Sequence, residues 1–133
     1  MKAALCVAAL LCSPALAQTS VVMHLASQHS HPRPSGKEWS EFNPGLAIRK
    51  PSGDLAYQGG VYRDSVAKWT VYALADYEPF RYEGLRFGGF VGAKYNGAAM
   101  PIAGFVGHYR NMGIRVAPAP KSGGVFVSLE FVF

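Results

Sequence analysis

A histidine and an aspartate-serine pair are the residues of this chain whose types could do chemistry together: His29, which closes the segment Ser20–His29, and Asp64-Ser65, which follow Tyr62-Arg63. An imidazole can take a proton from a hydroxyl, a serine hydroxyl can attack or position an ester, and a carboxylate can orient the imidazole. The trio would suit acyl transfer, with His24 and His31 as alternative bases. Spacing alone also admits a plainer reading, in which Asp64-Ser65 is turn chemistry and His29 is a solvated loop residue. The fold decides, by bringing these segments to one place or leaving them apart.

The elements that must position them are β-strands. No stretch sustains the i, i+3, i+4, i+7 apolar spacing of a helix, whereas short alternating segments recur between Gly, Pro, Asn and Asp. Eight strands are expected: Ser20–His29, Phe42–Lys50, Leu55–Asp64, Lys68–Tyr77, Gly84–Tyr95, Pro101–Arg110, Ile114–Pro118 and Val125–Phe133. In the last of these, Val125, Val127, Leu129, Phe131 and Phe133 share one face, and Ser128 and Glu130 lie on the other. From Trp69 to Tyr77 one face reads Trp69, Val71, Ala73, Ala75, Tyr77, with aromatics at both ends. Eight residues at ~3.3 Å each, tilted by ~40°, span roughly 20 Å, close to the ~25 Å apolar band between the aromatic girdles of a membrane barrel.

Composition agrees with an apolar environment. The 133 residues allow one small domain, and charged residues make up 16% of them where about a quarter is usual. Lys2, the uncharged run Ala3 to Leu11 and the small-residue site Ala15-Leu16-Ala17 read as a secretory signal peptide. A membrane-spanning helix would need about 20 apolar residues, and this run stops at Ser13-Pro14. Two parts are therefore expected, a signal peptide over 1–17 and a barrel over 18–133. Removing the first 17 of 133 residues, with Lys2 their one charged side chain, leaves 116 residues of charge +4. Cys6 and Cys12 leave with the signal, so no disulfide staples the mature domain.

The connections alternate in character, with the long polar Ser30–Glu41 followed by the short Pro51-Ser52-Gly53-Asp54. In bacterial outer-membrane barrels the turns facing the periplasm are short and the outer loops longer. Ser30–Glu41, Ser65–Ala67, Asn96–Met100 and Ala119–Gly124 are accordingly assigned to the outer end, which puts His29 and Asp64-Ser65 on the same rim, roughly 10 Å apart with one strand between them. The expected fold is all-β: an eight-stranded antiparallel transmembrane β-barrel in the cell outer membrane. A soluble lipocalin-like barrel, with its apolar face inside, is the rival. Gly59, Gly60, Gly88, Gly89, Gly92, Gly104 and Gly107 would permit tight curvature or clear a lumen slot for an acyl chain, since eight strands leave room for side chains or one slim ligand.

Several stretches resemble a known family. Tyr62-Arg63-Asp64-Ser65-Val66-Ala67-Lys68-Trp69, then Tyr77-Glu78-Pro79, then Gly84-Leu85-Arg86-Phe87-Gly88-Gly89-Phe90-Val91-Gly92 are similar to the PagP-like outer-membrane lipid A palmitoyltransferases. Phe42-Asn43-Pro44-Gly45-Leu46-Ala47 and the ending Gly124 to Phe133 follow the same pattern, so the resemblance spans most of the mature chain. It implies an eight-stranded barrel that moves a palmitoyl chain from a phospholipid donor to lipid A, using a His, an Asp and a Ser at the outer rim. On that basis Asp64 and Ser65 match the Asp-Ser pair, and His29, 14 residues before Asn43, falls about where the family's histidine does.

Other chemistries have less behind them. His108, Ser128 and Glu130 could be arranged as the His-Ser-Glu set of the outer-membrane lipid A deacylases, although a lumen ion network of Glu130, Arg115 and Arg86 is the simpler expectation. No Gly-rich phosphate loop precedes a helix, and no His or Cys cluster has metal spacing, so no cofactor and no metal are expected. The basic residues are scattered, which argues against nucleic acid, while Arg33, Lys37 and Lys68 near the outer rim could meet lipopolysaccharide phosphates. The expected partners are a phospholipid acyl donor, lipid A or a related acceptor and the surrounding outer-membrane lipid, with the barrel as a monomer. A non-catalytic barrel, possibly phage-derived, that binds lipid or modifies the cell surface is the alternative.

Overall fold

The computed structural model describes residues 19–31, 35–119 and 124–133. The expected signal peptide and Arg33 lie outside the described residues, and so does Pro120, which the sequence pairs with Pro118 as a break in the ladder hydrogen bonds of the seventh strand. Eight strands follow one another as β1 (Ser20–His29), β2 (Phe42–Ser52), β3 (Leu55–Arg63), β4 (Trp69–Tyr82), β5 (Leu85–Tyr95), β6 (Ala99–Tyr109), β7 (Met112–Ala119) and β8 (Gly124–Val132). Each pairs antiparallel with the next, and β1 pairs with β8, so the sheet closes. The chain is an all-β, closed, eight-stranded antiparallel barrel, as its alternating segments predict. The connections at residues 53–54, 83–84 and 110–111 cluster at one end, opposite the loops after β1, β3 and β5.

One boundary differs materially. The sequence suggests a turn over Glu78–Glu83, yet β4 runs on to Tyr82 and only Glu83-Gly84 turns. Tyr77 pairs with Gly89 and Phe80 with Phe87, so Glu78 and Pro79 together oppose Gly88. This β-bulge absorbs Pro79 without ending the strand and reverses its facing, so that Phe80 and Tyr82 point outward beyond it. Glycine is required opposite the bulge, because a Cβ on Gly88 would stand 1.8 Å from the Tyr77 carbonyl oxygen.

The side chains alternate with apolar groups outward. Phe105 is 75% exposed and Trp69 66%, and Tyr57, Val71, Val91, Tyr95 and Phe133 also point out. This is the reverse of a lipocalin-like barrel. Inward, an apolar cluster of Val22, Ala47, Tyr72, Leu74, Phe90, Val106 and Ala117 is joined to a strongly polar layer. In that layer Arg115 binds both carboxylate oxygens of Asp76, and also Gln58 Oε1 at 3.1 Å and Glu130 Oε1 at 3.1 Å. Arg49 pairs with Glu78 and lies 3.5 Å from Asp76. His108 places Nδ1 2.9 Å from Glu78 and Nε2 3.1 Å from Glu130. With both ring nitrogens protonated, His108 balances the cluster, giving three cations against three carboxylates. Arg86, expected in this network, makes none of these contacts, and Arg49 from β2 stands in it instead.

Burial without a partner is what makes such groups costly. Removing one member of a buried ion pair typically costs 3–5 kcal/mol, because the other charge is left stranded. Arg115→Leu leaves Asp76 with only Arg49 at 3.5 Å and takes a buried cation from Glu130, so its unfolding free energy should fall by about 3–5 kcal/mol. Gly59→Ala, whose Cβ would meet only ordinary contact at 3.6 Å, should stay within about 1 kcal/mol of wild type. Urea titration in detergent, followed by heat-modifiable gel mobility, checks both.

Candidate functional site

Above the polar layer, towards the loops after β1, β3 and β5, the barrel holds a cavity of about 500 Å³. Its walls include Leu74, Phe90, Ile102, Ala117 and Phe126; His24, Tyr72 and Arg115 border it from below, and His29, Ser65, Asp64, Lys68, Lys94 and Asn96 from the rim. Such a volume lies within the ~300–1,000 Å³ of small-molecule sites. From Phe126, beside His29, to Glu130 in the polar layer is four residues of β8, or roughly 13 Å.

A bulge aims His29 into this cavity. Val22 and His24 face inward, and unbroken alternation would next turn Ala26 and Gln28 inward too. Leu25 pairs with neither neighbouring strand, the register shifts there, and Ser27 and His29 take the inward places while Ala26 and Gln28 are exposed. The His29 ring stacks on Trp39, centroids 4.0 Å apart and nearly parallel at 9°, and lies 5.4 Å from Phe126. Its Nδ1 is buried with no hydrogen-bond partner. A buried polar atom left unpaired costs about 1–3 kcal/mol, and native structures rarely keep one without a reason.

Ser65 follows β3, and two contacts fix it to β1 and to the loop after it. Its carbonyl oxygen accepts from the Ser40 N–H at 2.9 Å, and its hydroxyl lies 3.1 Å from that of Ser27. Asp64, beside it, holds its own loop together. One carboxylate oxygen accepts from the Val66 and Lys68 N–H groups at 3.0 and 2.9 Å, the other from Thr70 Oγ1 at 3.0 Å and Asn96 Nδ2 at 2.7 Å. Burial alone would raise the carboxyl's pKa, but these four donors outweigh it and hold Asp64 below the usual aspartate range.

His29, Asp64 and Ser65 thus border one cavity, as their expected place on a shared rim requires, but His29 is hydrogen-bonded to neither of the other two. Of the alternative bases, His24 lies deeper, bonded to the Tyr72 hydroxyl, with Nδ1 3.6 Å from Glu130. His31 is exposed and does not line the cavity; its ring bonds Ser30 and its carbonyl accepts from Trp39. The deacylase-like set does not assemble. Both nitrogens of His108 are taken up by carboxylates, and Ser128 lines the cavity elsewhere. No residue-type pattern in the sequence gives Ser27 or Trp39 a role, and Asn43 enters there only as part of the Phe42–Ala47 resemblance.

The cavity also reaches the barrel wall. β6 and β7 pair from Phe105↔Val116 to Tyr109↔Met112, and the ladder between them does not continue to Ala99–Gly104 or to Ala117 and Pro118. The exposed residues Pro101, Ala103 and Pro118 line the cavity there, and proline has no N–H to complete a ladder. No protein-family model matches the chain, and no curated protein matches it.

Asp64 yields a prediction with a definite sign. Asp64→Asn removes acceptors from buried donors and should cost about 1–3 kcal/mol near neutral pH. The folded carboxyl titrates below its unfolded value of about 3.9, so its contribution is complete above that value and is lost as pH falls through the folded one. The stability gap between wild type and Asp64→Asn should therefore be constant from pH 7 to about 5 and close below pH ~4. Urea midpoints measured across that range check it.

Proposed function

We propose that this chain is an outer-membrane acyltransferase that moves a palmitoyl-like fatty acyl chain from a phospholipid to lipid A or a related acceptor. The observation carrying the reading is one apolar-walled cavity that joins the rim residues His29 and Ser65 to the seam where the ladder between β6 and β7 stops. A lipid-facing exterior is supported by the exposed apolar belt, with Trp69, Tyr57, Tyr95 and Phe133 on it. An acyl chain enters through the seam, lies against Phe90, Ile102 and Phe126, and leaves its ester at the rim.

There an acceptor hydroxyl attacks the ester carbonyl. His29 takes the hydroxyl proton as the new C–O bond forms and returns it to the departing lysophospholipid oxygen as the old C–O bond breaks. The unpartnered, buried His29 nitrogen supports this role, and the Trp39 stack holds the ring in place. Ser65 supplies a hydroxyl beside the reacting ester. Asp64 acts through the loop it ties down. A second reading, a non-catalytic lipid-binding barrel, is favoured by one observation: no hydrogen bond joins His29 to Ser65.

Mass spectra of lipid A separate the two. The chain, with its first 17 residues, is expressed in an enterobacterial host lacking its own lipid A palmitoyltransferase. A new species heavier by one acyl chain is expected, reduced about 10²-fold or more in His29→Ala and Ser65→Ala. Unchanged lipid A from a folded barrel would leave the binding reading.

A further inference from the structure

We propose that Ser27 is a positioning residue, which fixes the hydroxyl of Ser65 so that it presents its lone pairs, not its proton, to the cavity. The inference rests on the acyl-transfer reading for its consequence and on hydrogen-bond bookkeeping for its geometry. Asn43, on β2, is buried, and its Nδ2 donates to the carbonyl oxygens of Ser40 at 3.2 Å and Arg63 at 3.1 Å. A carbonyl oxygen can only accept, so the amide has one orientation and its Oδ1 faces Ser27 as an acceptor. Ser27, buried as well, must spend its single proton there. At its contact with Ser65, 3.1 Å long, the Ser27 oxygen is then left as the acceptor. Ser65 is the donor.

Three consequences follow. The Ser65 proton points at Ser27, so in this arrangement it is not offered to the carbonyl oxygen of a bound ester. Its lone pairs remain for the substrate, and a group with O–H or N–H to give, next to the reacting hydroxyl, is what they accept. A sugar acceptor carrying hydroxyl and amide groups is matched to that; the reacting proton itself goes to His29. The relay Ser65 to Ser27 to Asn43 also couples three segments, since Asn43 binds carbonyls both before β2 and at the end of β3. The bulge at Leu25 is what turns Ser27 inward to take part.

The test compares wild type, Ser27→Ala, Ser27→Thr, Ser65→Ala and the double variant for acyl transfer in micelles, with a phospholipid donor and lipid A acceptor. Ser27→Ala should lower kcat roughly 3- to 10-fold, the scale of one neutral hydrogen bond, with KM for the donor unchanged. Ser27→Thr should recover most of it, and Ser27→Ala should add nothing in the Ser65→Ala background. Ser27→Cys, of similar size but a weak donor, covers the case in which Ser27→Ala does not fold. Full activity in Ser27→Ala, or a loss that multiplies that of Ser65→Ala, overturns the proposal. Solution NMR keeps the two readings apart. A slowly exchanging Ser65 hydroxyl proton, lost in Ser27→Ala, without any acyl transfer by wild type, would sink the reaction and keep the relay; its absence from wild type would overturn the relay.

Discussion

Arg115 reaches from β7 across the lumen to Asp76 on β4, Gln58 on β3 and Glu130 on β8, and the rest of the barrel is arranged around that reach. Glu130 passes the connection to His108 on β6 and towards His24 on β1, Asp76 and Glu78 pass it to Arg49 on β2, and the Phe90 ring on β5 lies 5.1 Å from the guanidinium carbon. Every strand is therefore held to a common centre. A chain that turns its apolar residues outward cannot close on a hydrophobic core of ordinary size, and a layer of paired charges replaces it, with Arg49 Nη1 and Arg115 Nε its buried nitrogens that have no hydrogen-bond partner. Gln58 serves both signs, accepting from Arg115 and donating to Glu130 and to Tyr72.

That layer also sets where the cavity ends. Below it the lumen is filled with paired charge, and above it the walls are apolar. The rim is then built on carboxylate and amide anchors that tie loops and do not contact His29: Asp64 binds its own loop and Asn96, and Asn43 binds Ser27, Ser40 and Arg63. Polar groups thus act at two levels, closing the barrel at the bottom and ordering the cavity's rim at the top.

The strands were legible because alternation is a local property. Val125 to Phe133 and Trp69 to Tyr77 display their outward faces residue by residue, and the Asp64-Ser65 pair falls at a strand end that the turn residues mark. What could not be read are the places where alternation is interrupted. Nothing in the identity of Leu25 announces that it will be left unpaired, yet that bulge decides whether Ser27 and His29 face the lumen or the exterior. At Glu78-Pro79 the proline suggested a turn, because the compensating Gly88 lies on another strand. The partners in the ionic layer were likewise only partly visible. Glu130 and Arg115 were expected together, while Arg49 and His108 joined them through register, which depends on all eight strands at once.

The central claim is that this inverted barrel stands in lipid, and Trp69 reports on it most directly. Only Trp39 and Trp69 occur in the chain, so Trp39→Phe keeps an aromatic ring against His29 and leaves Trp69 as the sole indole emitter. Fluorescence of the barrel refolded into vesicles is measured with brominated acyl chains and, separately, with aqueous acrylamide. The account predicts strong quenching by the bromolipid and weak quenching by acrylamide. The opposite pattern would place the apolar exterior in water or against protein, and would contradict it.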